Sequence, residues 1–330
     1  MQLFPKKNHH PHETSPRTLA LVLSGGGPRG AMQVGALRAL MDEEIIPDFI
    51  IGTSIGAING AFLARFGYNH ETLDIIIDVW DSSARGEFAP EDFTRALLRN
   101  LLPIGNSKSY LEQARDFYAQ HGITPDLRFR DLAGPEFYIV AADVSRHRIS
   151  IFGENPDDPV LDSMLASSAI PPWLPPIRIG GSLYLDGGAV SDVPIEPAIR
   201  LGANELIVLD LFNPPPPAEH IRGAKALMDR VITTMEARQL ELELALAELH
   251  GVTIHRFPLR YPADIPLWDL SQTHNLIHAG YEIGKERLAE MKRRLAELEP
   301  ETAATPLTLG DRWQMLLSQA RALLANDHRN

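Results

Sequence analysis

Gly52-Thr53-Ser54-Ile55-Gly56 sets a serine between two glycines, with the apolar run Phe49-Ile50-Ile51 before it and the small-residue run Ala57-Ile58-Asn59-Gly60-Ala61 after it. That order describes a strand, a sharp turn and a helix. It is the setting of a nucleophile elbow, where glycines leave room for a strained backbone and closely packed neighbours. Ser54 is therefore the candidate nucleophile for acyl transfer, with Gly52 and Gly56 as its support. A second chemical element lies upstream: Ser24-Gly25-Gly26-Gly27-Pro28-Arg29-Gly30 follows the buried-strand pattern Leu19-Ala20-Leu21-Val22-Leu23. It opens a helix in which Ala31, Val34, Leu37, Leu40 and Met41 recur at helical spacing. Such a loop gathers free N–H groups at a helix N-terminus, which suits an anion and, beside a serine elbow, the oxyanion of an acyl-transfer intermediate. The N–H groups of Gly26 and Gly27 are the natural donors, while Pro28 has none and fits the first helical position. Arg29 either adds positive potential there or pins the loop through an ion pair.

A neutral serine hydroxyl is a weak nucleophile and needs a neighbour to take its proton. Leu183-Tyr184-Leu185-Asp186-Gly187-Gly188 is a short strand ending in an acid and two glycines, a pattern shared by hairpin turns and catalytic loops. The 12 histidines all lie outside the motif-bearing runs. Two other enzymes compete for these residues. Gly25-x-Gly27-x-x-Gly30 matches the dinucleotide fingerprint, but that site needs an acid at the end of the second strand to hold the ribose. The second strand here ends in Gly52-Thr53-Ser54, and Asp42, Glu43, Glu44 and Asp48 all precede it. A Ser-acid-His triad would take Ser54, Asp210 and either His255 or His274, yet that fold places several strands ahead of its nucleophile.

Taken in order, Gly25-Gly26-Gly27-Pro28-Arg29-Gly30, Gly52-Thr53-Ser54-Ile55-Gly56 and Asp186-Gly187-Gly188 resemble the motifs of the patatin-like phospholipases, serine lipid acyl hydrolases with a Ser-Asp dyad. The resemblance runs over residues 18 to 290. It takes in Leu165-Ala166-Ser167-Ser168-Ala169-Ile170-Pro171-Pro172 and Leu174-Pro175-Pro176, similar to the family's approach to its aspartate strand. It implies Ser54 as nucleophile, Asp186 as its partner, the Gly25 to Gly27 backbone as oxyanion hole, and Gly187 and Gly188 as support around the carboxylate. It further implies an acyl-lipid substrate, an acyl-enzyme on Ser54, and no metal or organic cofactor. Two positions depart from the family. Ile55 stands where alanine is usual, a bulky neighbour that narrows acyl access, and Ser191-Asp192-Val193-Pro194 stands where Asn-x-Pro is frequent. Asp192 brings a second carboxylate toward the first, and like-charge repulsion between close carboxylates raises one pKa. A contrasting reading is a scaffold that binds acyl lipids without turnover, with Ile55 and Asp192 as its symptoms; the retained Ser54, Asp186 and glycine loop argue against it.

These residues need a frame. Predicted strands near 19–23, 49–52, 137–142, 148–152, 183–185, 206–210 and 252–257 alternate with helical patterns, the signature of a three-layer α/β/α sandwich with a largely parallel sheet. Both motifs then lie at carboxyl ends of strands, where open sheets bind ligands. Residues 68–132 read as a helical insertion whose apolar positions, such as Ile76, Val79 and Trp80, either pack as core or wall an acyl site. Pro214 to Pro217 reads as a stiff surface linker, the apolar positions from Ile221 to Leu249 as a long helix packed on the sheet, and Pro266 to Leu270 as a loop into another packing helix. The reading divides the chain into a disordered leader over 1–17, a catalytic domain over 18–299, and a linker with an amphipathic helix over 300–330. That helix carries Trp313, Leu316, Leu317, Ala320, Leu323 and Leu324 on one face, which can dock on its own domain, on a second copy in a homodimer, or on lipid.

A formal net charge of −12 argues against nucleic acid and against strong attraction to anionic membranes, which leaves transient membrane-surface contact. Zero cysteines remove disulfides and thiolate metal sites. Met1 to Arg17 has no apolar h-region, and no apolar run approaches the ~20 residues of a membrane span, so the expectation is a cytoplasmic protein.

Overall fold

Strands with apolar side chains on both faces must be covered on both faces. Leu19-Ala20-Leu21-Val22-Leu23 is such a strand, and each of its residues is buried. The structure is a computed structural model that describes residues 17–86, 110–171, 173–212, 223–262, 265–266 and 269–298. In it β1 (Leu19–Leu23), β2 (Phe49–Thr53) and β3 (Glu136–Asp143) lie parallel, and two further parallel strands, β7 (Glu205–Asp210) and β8 (Thr253–Pro258), extend the sheet beyond β1. Three antiparallel strands complete it: β4 (Arg148–Phe152) and β6 (Ser182–Asp186) on β3, and β5 (Ile177–Ile179) on β6. Every predicted strand forms. The added one, β5, has three residues, too few to show a period.

Alternate residues of β1 face opposite layers. Leu19, Leu21 and Leu23 join a core with α1 (Gly30–Asp42), α2 (Ile55–Phe66), α3 (His70–Ala84), α4 (Tyr110–Gln120), α5 (Val160–Ser167) and α9 (Thr273–Leu298). Ala20 and Val22 face a second core built with α6 (Gly188–Ser191), α7 (Ile195–Arg200) and α8 (Gly223–Leu249). The result is the expected three-layer sandwich. One expectation fails in part: among the described apolar residues of α8, Leu240, Leu244 and Ala247 join this core, whereas Leu227, Met228, Val231, Ile232 and Met235 are 47–59% exposed. The apolar positions cover more of the helix circumference than one packing face can bury. The proline run Pro214 to Pro217, residues 87–109 of the insertion, most of the leader and the 300–330 segment lie outside the described residues. No helix among the described residues is long and apolar enough to cross a membrane.

The sheet positions the chemistry through a shared edge. β4 occupies one edge of β3 from Ile139 to Asp143, so β2 and β6 must both pair with the other. Thr53 sits opposite Val140 and Asp186 opposite the next residue, Ala141, with the two strands running toward each other. Neither can continue without entering the other's place. The chain therefore leaves the sheet at Ser54 and again at Gly187, and the two carboxyl ends meet.

Candidate active site

Ser54 leaves β2 with φ 54° and ψ −121°, a left-handed conformation that stores strain in a residue with a Cβ. The flanking glycines are required by space. A Cβ on Gly52 would lie 2.5 Å from the Gly56 carbonyl oxygen, and one on Gly56 would lie 2.2 Å from that of Leu23. The turn presents Ser54 Oγ to Asp186, donating to Oδ2 at 2.7 Å, while the Gly188 N–H donates to Oδ1 at 2.7 Å. Asp186 is half-buried. Protein packed round its carboxyl disfavours the charged form and pushes it up to about 7; the bonds from Gly188 and Ser54 pull the other way, and the like charge of Glu236 on α8 adds to the rise.

The glycine loop is held from both sides. Ser24 Oγ donates to Gly25 O at 3.0 Å and accepts from Leu211 N at 2.9 Å, and Gln33 Nε2 donates to Ser24 O at 2.9 Å. Asn59 joins Gln33 Oε1 to the Gly30 carbonyl, and Trp80 Nε1 donates to Asn59 Oδ1 at 3.3 Å. One expectation changes here. The Gly25 N–H is taken by the Asp192 carbonyl at 2.9 Å and is no donor for a substrate oxygen. The N–H groups of Gly26 and Gly27 have no acceptor among the described residues. Arg29 Nε reaches Gly26 O at 3.4 Å, and its charge opposes the upward shifts of Asp192 and Glu236, which fits the loop-pinning role.

Asp192 stands beside the dyad, as its sequence position suggested. Burial pushes its carboxyl well above the ordinary range, reinforced by Glu236, Asp186 and Asp210. The group fills the space that a side chain at position 25 would need: a Cβ on Gly25 would lie 2.1 Å from Asp192 Oδ1. Gly25→Ala should therefore displace Asp192 and shift the Gly26 and Gly27 donors, lowering kcat/KM on a short-chain p-nitrophenyl ester roughly 10–100-fold. A rate within threefold of wild type would show that the loop tolerates the methyl group.

An apolar cavity of about 140 Å³ opens at Ser54 and is lined by Ile55, Ile58, Phe62, Val79, Trp80 and Leu174 among others. Ile76, Val79 and Trp80 of α3 are buried in the core and also line this cavity, as do Tyr110 and Tyr118 of α4, so the described insertion residues serve both readings. The triad residues are not brought together. Asp210 binds Arg256 and Arg260, His255 pairs with Glu205 at 2.9 Å, and His274 pairs with Asp81 at 3.0 Å. Sequence reasoning missed Gln33, Asn59, Ser167, Glu236 and Glu243 as parts of the site's frame. Glu243 of α8 accepts from Ser191 Oγ and from the Ile195 and Glu196 N–H groups, tying the chain after Asp186 to that helix. A glutamine amid Ala31-Met32-Gln33-Val34 is a legible signal, since a polar side chain on an apolar helical face needs a buried partner; the acids of α8 carry none.

A family model described as patatin-like phospholipase matches residues 21–199, which include the glycine loop, Ser54 and Asp186. Over 196 residues the chain is 29% identical to patatin-like phospholipase domain-containing protein 7 of Rattus norvegicus, covering 58% of this chain and 13% of that protein. Over 294 residues it is 26% identical to lysophospholipase nte1 of Aspergillus terreus, covering 84% of this chain and 18% of that one. The chain thus spans 13–18% of the length of these relatives. A solved structure of human GIVD cytosolic phospholipase A2 in complex with methyl gamma-linolenyl fluorophosphonate aligns with 93% of this chain and 60% of its own, at 11% identity and a TM-score of 0.49.

Proposed function

The chain belongs to the patatin-like phospholipase family, and on that premise we propose that it hydrolyses acyl-lipid esters, with phospholipid or lysophospholipid as the first substrates to try, through an acyl-enzyme on Ser54 with Asp186 as base. The observation that carries this reading is the 2.7 Å bond from Ser54 Oγ to Asp186 Oδ2 at the mouth of an apolar cavity. The acyl chain lies in that cavity, the ester carbonyl oxygen points at the Gly26 and Gly27 N–H groups, and the carbonyl carbon faces Ser54 Oγ. Asp186 takes the serine proton as the C–O bond forms and returns it to the departing alcohol. Water then gives a proton to Asp186 as its oxygen attacks the acyl carbon; the bond to Ser54 Oγ breaks, Oγ takes that proton back from Asp186, and the fatty acid leaves. A carboxylate with an ordinary pKa of about 4 is a weak base at neutrality, whereas one raised to about 7 is a stronger base and still ionised in slightly alkaline solution. Each oxyanion donor adds on the order of 3–4 kcal/mol of transition-state stabilisation in well-studied enzymes. No step requires a metal or organic cofactor.

Wild type and Ser54→Ala, each given a medium-chain phosphatidylcholine, its lyso form and a p-nitrophenyl ester, test the reading. Fatty acid released by wild type alone supports it. Lipid binding without release by either protein supports the scaffold instead. Ile55 adds a specificity test, because it lines the cavity and packs against Gly30, where a Cβ would meet its Cγ1 at 2.3 Å. Ile55→Ala should raise the rate on bulky or branched acyl esters relative to acetyl esters about tenfold, at a stability cost of about 1–3 kcal/mol. An unchanged ratio would place the acyl selectivity elsewhere in the cavity wall.

A further inference from the structure

Ser167 ends α5 and is fully buried, a position where a hydroxyl needs partners. Its Oγ accepts from the Ser54 N–H at 2.8 Å and donates to the Val140 carbonyl at 2.6 Å. Its own carbonyl accepts from the Gly187 N–H at 3.2 Å, and the Asp186 N–H is held two residues on by Ala169 O at 3.1 Å. Ser54 and Asp186 approach from opposite directions along β3 and stand 132 positions apart in the chain. Ser167 touches both turns and the strand beneath them. We infer that Ser167 is a positioning residue for the hydrolytic reaction, fixing Ser54 against Asp186 by clamping the elbow N–H and the turn after the aspartate to the edge of β3.

This inference rests on the proposed Ser54 chemistry and adds a member to it. The clamp acts on the backbone of a strained residue. Without an acceptor for its N–H, the elbow can relax away from φ 54°, and the Oγ–Oδ2 bond is the first geometry to suffer. Misplacement of a reacting group by about 1 Å typically costs on the order of 100-fold in rate. The same bond helps hold the Asp186 carboxyl down, so loosening it moves that group further up and shifts the acid limb of the pH–rate profile to higher pH.

The helix supplies its own control. Ser163 lies one turn earlier on α5, is equally buried, and its Oγ has no hydrogen-bond partner among the described residues. Ser163→Ala and Ser167→Ala delete the same atom at the same depth, and only the second removes the hydroxyl that ties the Ser54 N–H to the Val140 carbonyl, while the Ser167 carbonyl keeps its bond from Gly187. Steady-state kinetics and pH–rate profiles on a p-nitrophenyl ester should show kcat reduced about 10–100-fold in Ser167→Ala, KM within threefold of wild type, and the acid limb moved upward. Ser163→Ala should match wild type in all three. Ser167→Thr keeps the oxygen but overfills the site, so its kcat should recover most of the loss while its Tm falls. Turnover within threefold of wild type in Ser167→Ala, equal losses in the two alanine variants, or Ser167→Thr as slow as Ser167→Ala would each overturn the inference alone. A wild type with no Ser54-dependent turnover would overturn the proposed function together with it.

Discussion

Ser54→Gly should be inactive and yet more stable than Ser54→Ala, reversing the usual order of the two residues. Both substitutions remove the nucleophile, and kcat on any acyl ester should fall roughly 10⁴-fold or more, the loss typical when the attacking group itself is deleted. Their stabilities separate the strain from the chemistry. Glycine ordinarily costs about 0.5–1 kcal/mol relative to alanine, through the freedom it regains on unfolding. At φ 54° and ψ −121° alanine retains the Cβ clash that glycine relieves, a strain on the order of 1–3 kcal/mol. Urea midpoints of the two variants, measured at one pH, should place glycine higher by about 1 kcal/mol. Alanine at or above glycine would mean that the elbow stores no strain in the folded protein.

Asp186→Asn should cost about as much activity as loss of the serine, and should also change how stability depends on pH. The amide cannot accept the serine proton, so kcat should drop by about 10³–10⁴-fold. The double variant with Ser54→Ala should be no slower than the worse single one, because the two groups act as a unit. In wild type the rate should climb as Asp186 ionises, with a limb near its value of about 7, and Asp186→Asn should lack that limb. The stability sign follows from the same shift. A carboxyl raised from its ordinary 3.8 to about 7 favours the folded state while it is neutral. Its contribution is complete below about pH 4, fades as pH rises through 7, and is lost above. Asparagine stays neutral throughout. Relative to wild type, Asp186→Asn should gain on the order of 2–4 kcal/mol between pH 4 and pH 8. A constant difference over that range would show that the carboxyl is not held neutral by its surroundings.

Much of the site was legible because its signals are local. The uniform apolar run at Leu19–Leu23, the glycines about Ser54 and the acid before Gly187 each report a backbone state within a few residues, and the strands form where those patterns lie. Their order along the chain carried the family resemblance. What stayed hidden are the pairings between distant segments. Gly25 reads as an anion donor until the Asp192 carbonyl, 167 residues later, is found occupying its N–H. Glu236 and Glu243 look like ordinary helical acids in sequence, and only the docking of α8 beside α6 and α7 makes one a neighbour of the dyad and the other the anchor of the chain beyond it. Ser167 lay inside a recognisable stretch, yet nothing in the order of residues 165–172 says that its hydroxyl meets the Ser54 N–H. Hydrophobic period reports which face is inward; it is silent on which carbonyl will be opposite.

The shared edge of β3 makes the catalytic spacing a matter of whole steps. Rungs of a strand are about 3.3 Å apart, and a one-residue slip also turns each side chain to the opposite face. Were β6 to pair one residue further along, Asp186 would move by a rung and point away from Ser54, so no intermediate separation exists for drift to explore. Exposed loops in the excursion from one strand to the other can lengthen or shorten without touching that count, provided β3 and Ser167 keep their places. An engineer inheriting this fold would find surface loops open to redesign and the register closed to it: the dyad is either in step or lost.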